Sequence, residues 1–168
     1  MTERSVELAL ADEWLTIKDN VVEIGAVTPY YWPNRIKDII DPTDSHELVN
    51  IKASLFDVSL KERDVLCLSV LEHIGTGDYG QNFSPGLSIG ALEIILMQSK
   101  SALITVPAGY NKQFEDYIFK RIYKDSKVYY LVRDKGEKDN NWKQVNMLKE
   151  SELEYGPLWA NSLIIIMK

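Results

Sequence analysis

The residues best able to do chemistry stand where apolar runs stop. Glu23 and Gly25 close V-V-E-I-G at Val21–Gly25, Asp41 closes I-I-D at Ile39–Asp41, and Glu72 and His73 follow Leu71 in V-L-E-H-I-G at Val70–Gly75. A glycine lets backbone and ligand approach closely, and a carboxylate accepts hydrogen bonds from sugar hydroxyls. A histidine titrating near neutrality takes a proton from a hydroxyl, with Glu72 either orienting it or capping the next turn. The plainer role for His73 is a hydrogen bond that steadies the turn at Gly75. Asp78 and Tyr79 lie in G-T-G-D-Y-G, which reads equally as a lid over a cleft or as a surface loop. Tyr110, beyond Pro107 and Gly109, either approaches a substrate or packs at an edge. His46, within the charged Asp44–Glu47, reads as a surface residue.

Several chemistries are excluded. Cys67 is the single cysteine and sits in an apolar run, so it reads as a small buried hydrophobe rather than a nucleophile. Two histidines far apart and no Cys/His/Asp cluster predict no metal site. There is no G-x-S-x-G elbow and no P-loop. A dinucleotide fingerprint would need G-x-G-x-x-G, whereas Gly25 is followed by Ala26, Val27, Thr28 and Pro29. The net charge of −6 argues against nucleic acid or an anionic membrane as partner.

The elements that must position these residues follow from periodicity. The 168 residues, 45% hydrophobic and 26% charged, suit one soluble domain over 1–168. Val6, Leu10, Trp14 and Ile17 predict an amphipathic first helix. Asn20–Ile24, Ile36–Asp41, Asp64–Ser69, Ala102–Val106, Lys127–Val132, Trp142–Val145 and Ser162–Met167 read as strands, several of them apolar on both faces as in a parallel sheet. Ser88–Met97 and Phe114–Ile122 read as helices, His46–Ile51 as a short helix or strand, Gly75–Gly86 as a loop and Asp134–Asn141 as a charged turn. Between Gly25 and Ile36 the space is minimal, and Pro29 and Pro33 bar a helix longer than one turn. A compact loop is expected there, its aromatics Tyr30, Tyr31 and Trp32 either filling a missing helix's volume or walling a ligand site. With no signal peptide and no apolar stretch near the roughly 18 residues of a membrane span, the cytoplasm is the expected compartment.

These strand ends resemble the cofactor half of class I S-adenosylmethionine-dependent methyltransferases. V-L-E-H-I-G looks like the segment after that family's fourth strand, and A-L-I-T-V-P-A-G-Y-N at Ala102–Asn111 like its fifth strand with exit loop. E-H-I-G-T-G-D-Y-G with V-P-A-G is reminiscent of uncharacterised methyltransferase-like proteins from surface-glycan gene clusters. The resemblance covers roughly Val21 to Asn111 and implies an α/β, Rossmann-like sheet, mostly parallel with an antiparallel C-terminal end. It implies S-adenosylmethionine as cofactor, with Glu23, Gly25, Asp41, Asp57 and Leu71 around it, Gly25 at the methionine end and Asp41 on the ribose. Asp57 is the nearest candidate for the acid that meets the adenine amine. The family's G-x-G reads Gly25-Ala26-Val27 here, a departure.

The resulting expectation is a methyltransferase acting on a small-molecule or glycan acceptor, at oxygen, with His73 and Glu72 catalytic and Asp78, Tyr79 and Tyr110 binding the acceptor. The small size suggests an open acceptor site or one completed by a second copy in a homo-oligomer. Two rivals stand beside it: a non-catalytic binding or scaffold domain, and a nucleotide- or sugar-modifying enzyme reusing the sheet.

Overall fold

The computed structural model describes residues 2–80, 82–84, 86–134, 141–156 and 160–168. The strands are β1 (Val21–Ile24), β2 (Asp38–Ile40), β3 (Asp64–Leu68), β4 (Ser101–Pro107), β5 (Lys127–Arg133), β6 (Trp142–Val145) and β7 (Ser162–Met167). They form one sheet in the order β2-β1-β3-β4-β7-β5-β6. The first four run parallel, and β7, β5 and β6 continue the sheet antiparallel. This is the α/β, Rossmann-like arrangement expected. The chain leaves β1 toward β2 and returns on the other side as β3, so the strand order reverses beside β1. Open α/β sheets bind ligands at such a reversal, outside the carboxyl ends of the strands.

The strands alternate between two buried faces. Val22, Ile24, Val65, Cys67, Ile104, Val106, Ile164 and Ile166 enter one core with α2 (Leu87–Gln98) and α3 (Lys112–Lys120). Leu66, Leu68, Leu103, Leu163 and Ile165 enter a second core with α1 (Glu3–Leu15). Thr2 caps α1 by accepting from the Ser5 N–H, and Asn111 caps α3 by accepting from the Phe114 N–H. On α2 the buried Ser88, Ala91, Leu92, Ile95 and Leu96 make one helical stripe. Cys67 is buried at the sheet centre, and burial pushes its thiol well up.

Element bounds shift where caps intervene. α1 stops at Leu15 because the Thr16 hydroxyl turns back to the Glu13 carbonyl, leaving Ile17 76% exposed. α3 stops at Lys120, where Arg121 turns extended and grips Glu93 through Nε at 2.6 Å and Nη2 at 3.1 Å; Ile122 is consequently exposed. His46–Ile51 forms neither the helix nor the strand expected: it turns at Glu47–Leu48, and Ile51 alone bridges β2, with Asp41 N–H donating to the Ile51 carbonyl and Ile51 N–H to the Ile39 carbonyl. The β1–β2 connection holds only a 3₁₀ turn at Thr28–Tyr30. Trp32 packs on the α1 core, while Tyr30 and Tyr31 stand exposed. Of the expected charged turn, residues 135–140 lie outside the described residues, as do Gln81 and Pro85 of the glycine-rich loop.

Candidate functional site

A cleft of about 1000 Å³ opens at the carboxyl ends of β1, β2 and β3. Gly25 (φ 79°) begins its wall, and its N–H donates to the Ile40 carbonyl at 2.9 Å, which draws the tips of β1 and β2 together. A Cβ at Gly25 would lie 2.2 Å from Val70 Cγ2, so both the positive φ and the packing require glycine. Asp41 lies on the same wall. Its Oδ1 accepts from the Thr43 N–H (2.8 Å), the Thr43 hydroxyl (3.1 Å) and the Asp44 N–H (2.8 Å), and none of these uses Oδ2. The Tyr30 hydroxyl donates to both Asp44 oxygens, and Ser54, Leu55 and Phe56 continue the wall.

At the other end stands His73. Its Nδ1 lies 3.0 Å from Asp78 Oδ2, which also accepts from Thr76 Oγ1 and Tyr110 OH, each at 2.6 Å. These three donors hold the Asp78 carboxyl down at about 2, with Thr76 the largest influence. An ionised carboxylate only accepts, so Nδ1 carries the hydrogen and Nε2 is left to receive a proton. The hydrogen bond and burial push the Tyr110 hydroxyl upward. Rings of Tyr79 and Tyr110 stand 5.5 and 4.5 Å from His73, and Tyr155 packs on Tyr110. Tyr79 holds φ 54°, a left-handed conformation of the kind that gathers at ligand sites.

Beneath the cleft lies a buried polar layer. Glu7 Oε1 accepts from Thr105 Oγ1 at 2.6 Å and from the Ser69 hydroxyl, while Oε2 faces Arg4 Nη1 at 2.9 Å. Burial raises the Glu7 carboxyl, with Arg4, Ser69 and Thr105 pulling it back. Glu23 accepts from the Val27 and Thr28 N–H groups at 3.0 and 2.8 Å and from the Thr28 hydroxyl. Burial pushes Glu23 up to about 7 against those hydrogen bonds.

No family model matches the chain, and no curated protein matches it. Among solved structures, it is similar to a chain in the Pnkp1/Rnl/Hen1 RNA repair complex at 12% identity and a TM-score of 0.56, covering 100% of this chain and 42% of that one. The likeness is one of fold. The chain thus spans less than half the length of that neighbour. A possible histamine N-methyltransferase from Thermotoga maritima, described as S-adenosylmethionine-dependent, aligns at 14% identity and a TM-score of 0.48 over 96% of this chain and 86% of its own.

Of the residues singled out from sequence, Gly25, Asp41, His73 and Tyr79 line the cleft, and Asp78 and Tyr110 gather on His73. Others stand elsewhere. Glu23 points to the α1 face and caps its own loop; Leu71 is wholly buried in the α2 core; Asp57 is exposed on the 3₁₀ turn Leu55–Asp57 rather than in the cleft. The carboxylate that orients His73 is Asp78, not Glu72. Glu72 lies 3.7 Å from Nε2, too far for a hydrogen bond, and is fully buried with its carboxyl pushed well up by burial. His46 is half-buried, its ring edge-on to Tyr30. Sequence reasoning missed Arg4, Asp44, Ser54, Phe56 and Ser69 on the wall. P-T-D-S after Asp41 carried a turn signal that would have found Asp44; Arg4, on a helix remote in sequence, carried none. Among the described residues no group of three or more His, Cys, Asp or Glu is arranged to hold a metal, and no helix is long and apolar enough to cross a membrane.

Proposed function

We propose that this chain binds S-adenosylmethionine in the cleft and transfers its methyl group to a hydroxyl of a small-molecule or carbohydrate acceptor. The observation that carries the reading is the open cleft in which the Gly25 turn and the Asp41 carboxylate share one wall. Its volume falls at the upper end of ordinary ligand pockets, about 300–1,000 Å³. Its charge also suits the ligand. Asp41 and Asp44 outnumber Arg4 on the wall, and the ligand carries a sulfonium, an ammonium and one carboxylate. Asp41 would accept from the ribose hydroxyls, the Gly25 turn would meet the methionine end, and Ser54, Leu55 and Phe56 would face the adenine.

The bound sulfonium supplies an activated methyl carbon. The chain's own residues do the rest by positioning and proton transfer, with a near-attack separation of about 3–3.5 Å. His73 Nε2 would take the acceptor hydroxyl's proton as oxygen bonds to the methyl carbon and the carbon–sulfur bond breaks, its electron pair leaving with the sulfur of neutral S-adenosylhomocysteine. Asp78 keeps Nδ1 protonated and stabilises the imidazolium, and Thr76 and Tyr110 keep Asp78 ionised. Asp78 and Tyr79 border the space where the acceptor would enter.

Methyl transfer from labelled S-adenosylmethionine to a panel of glycans and small hydroxyl compounds tests this reading. His73→Ala should lower turnover by about 10²–10⁴-fold while S-adenosylhomocysteine affinity holds. Equal loss of both would remove His73 from the role of base. A non-catalytic scaffold is the second reading, favoured by Val70 packed on Gly25 and by Val27 standing in the glycine loop. A protein giving neither heat nor thermal shift with millimolar ligand would be that scaffold. The net charge of −6 weighs against an RNA acceptor, which the RNA repair assembly of the structural neighbour would otherwise suggest.

A further inference from the structure

A surface helix of a monomer keeps its outward stripe polar. α1 turns Ser5, Asp12 and Glu13 to water, and α3 turns Lys112, Gln113, Asp116 and Lys120. α2 departs from that rule. Its inner face is the buried stripe Ser88, Ala91, Leu92, Ile95 and Leu96. At about 100° per residue, the opposite face carries Leu87, Gly90, Ile94 and Met97, an apolar line with the alternating three- and four-residue spacing of a helix–helix seam. Met97 is 78% exposed, Leu87 is exposed, and Gly90 and Ile94 are half-buried. Both flanks widen the line. The exposed Phe56 ring lies beside Gly90 on one side. On the other, Ile122, 82% exposed, follows the Arg121 that grips Glu93.

Two properties of this face say what it fits. Its order is its own reverse: Leu87 and Gly90 stand five and two residues before position 92, and Met97 and Ile94 stand five and two after it. A second α2 laid antiparallel across a two-fold axis at position 92 sets Leu87 against Met97 and Gly90 against Ile94, twice over. Gly90 has no side chain and Ile94 is bulky, so the gap in one helix receives the projection of the other. The border also suits a like chain. A net charge of −6 repels a second copy in general, but Glu93, the one charged residue in the α2 sequence, is neutralised by Arg121 Nε at 2.6 Å and Nη2 at 3.1 Å. The two-fold axis brings both Glu93–Arg121 pairs to the same flank, where each guanidinium has the other copy's carboxylate as neighbour. α2 is about 18 Å long, too short a seam alone for the roughly 800 Å² per partner of a standard interface. Phe56 and Ile122 widen the patch toward that area.

We propose that the outward face of α2 pairs with the same face of a second copy of this chain, antiparallel about a two-fold axis at position 92. The proposal does not rest on the methyl-donor reading. It does bear on the cleft, whose wall includes Leu87 and Phe56. Met97 of the second copy would cover Leu87 next to Phe56, so each chain closes one lip of the other's cleft.

Sedimentation velocity with a charge swap tests both the pairing and its register. Wild type should run as a dimer at about 100 µM. Leu87→Lys and Met97→Glu, each alone, should weaken dimerisation about ten-fold or more, because each puts two charges into an apolar seam. The chain carrying both changes should recover most of the lost affinity, since the new ammonium of each copy then faces the new carboxylate of the other. Within one chain the two positions are ten residues, about 15 Å, apart, so no internal pair can mimic the rescue. Met97 is exposed, so Met97→Glu should melt like wild type and its oligomeric state stays readable. A wild-type monomer at that concentration would overturn the proposal, including one that floats with phosphatidylglycerol vesicles, which would give the face to a lipid surface. A dimer that Met97→Glu leaves intact would overturn it too, as would a double change that dimerises no better than the single ones.

Discussion

On one face of the sheet, α2 and α3 bury Leu92, Ile95, Phe114 and Ile118 against Val65, Cys67, Ile104 and Ile164. On the other, α1 is the covering helix, and the β1–β2 connection adds a 3₁₀ turn where a crossover usually brings a helix. The strands are apolar toward both sides, yet the second side holds buried Glu7, Glu23, Thr28 and Thr105, whereas the first has Ser88 of α2 and Glu115 of α3. A short connection cannot deliver a second apolar stripe. The volume beneath the cleft is instead filled by carboxylates, each given hydroxyl or N–H donors, as buried polar groups require. The helical face supplies most of the apolar burial, whereas the polar face aims groups into the cleft and, together with buried Glu115 of α3, ties stability to protonation.

The largest effect should come from cutting into the helical face. Leu92→Ala removes a wholly buried side chain and should cost about 2–5 kcal/mol in urea unfolding, with the same loss at pH 5 and pH 8. A loss below about 1 kcal/mol would mean that this face is not the principal core.

The polar face should show itself as a pH slope. Glu23 titrates at about 7 in the fold against 4.5 as an ordinary glutamate, so between those values the folded protein holds the extra proton. Stability from Glu23 is therefore full below pH 4.5 and lost as pH rises past about 7, a change on the order of 3 kcal/mol. Buried Glu7 and Glu72 push the same way. Thermal melts across pH 5 to 8 should fall in wild type and in Leu92→Ala, and fall less in Glu23→Gln. Identical slopes for wild type and Glu23→Gln would refute the assignment of the slope to this carboxyl.

Asp78 should act with the opposite sign and least strongly, because it is partly open to water. Its carboxyl is held at about 2 against an ordinary 3.8. The contribution is present above pH 3.8 and disappears as pH falls through about 2. Asp78→Asn should therefore lower stability modestly and evenly between pH 5 and 8, and the gap to wild type should close as pH falls toward about 2. A loss of the same size at neutral pH and at about pH 2 would instead mark Asp78 as a packing residue.

Much of this architecture is legible in the chain. Unalternated runs such as Val65–Leu68 and Leu163–Ile166 announce strands buried on both faces, and Pro29 with Pro33 announces the missing crossover helix. The clustering of Gly25 and Asp41 follows from strand ends alone. What sequence order hides is which partner a side chain meets. Glu72 adjoins His73 in the chain, but the 3₁₀ turn at Leu71–His73 buries Glu72, while the glycines at 75 and 77 let the chain turn so that Asp78 meets the ring. Glu23 resembles a strand-end ligand group, yet alternation along β1 sends it to the α1 face. Arg4 and Ser69 join the cleft through Glu7, a contact spanning 62 positions between Ser69 and Glu7 that no local pattern encodes.

The functional reading stands or falls on one wall of the cleft, where the Asp41 carboxylate would hold the ribose and the neighbouring Gly25 turn would meet the methionine end. Isothermal calorimetry of S-adenosylhomocysteine against wild type and Asp41→Ala tests it most directly. The account predicts micromolar binding to wild type and a loss of about ten-fold or more in the variant, as expected when charge-assisted hydrogen bonds to both hydroxyls are removed. Wild type that gives no heat at millimolar ligand, or a variant that binds as tightly as wild type, would contradict it.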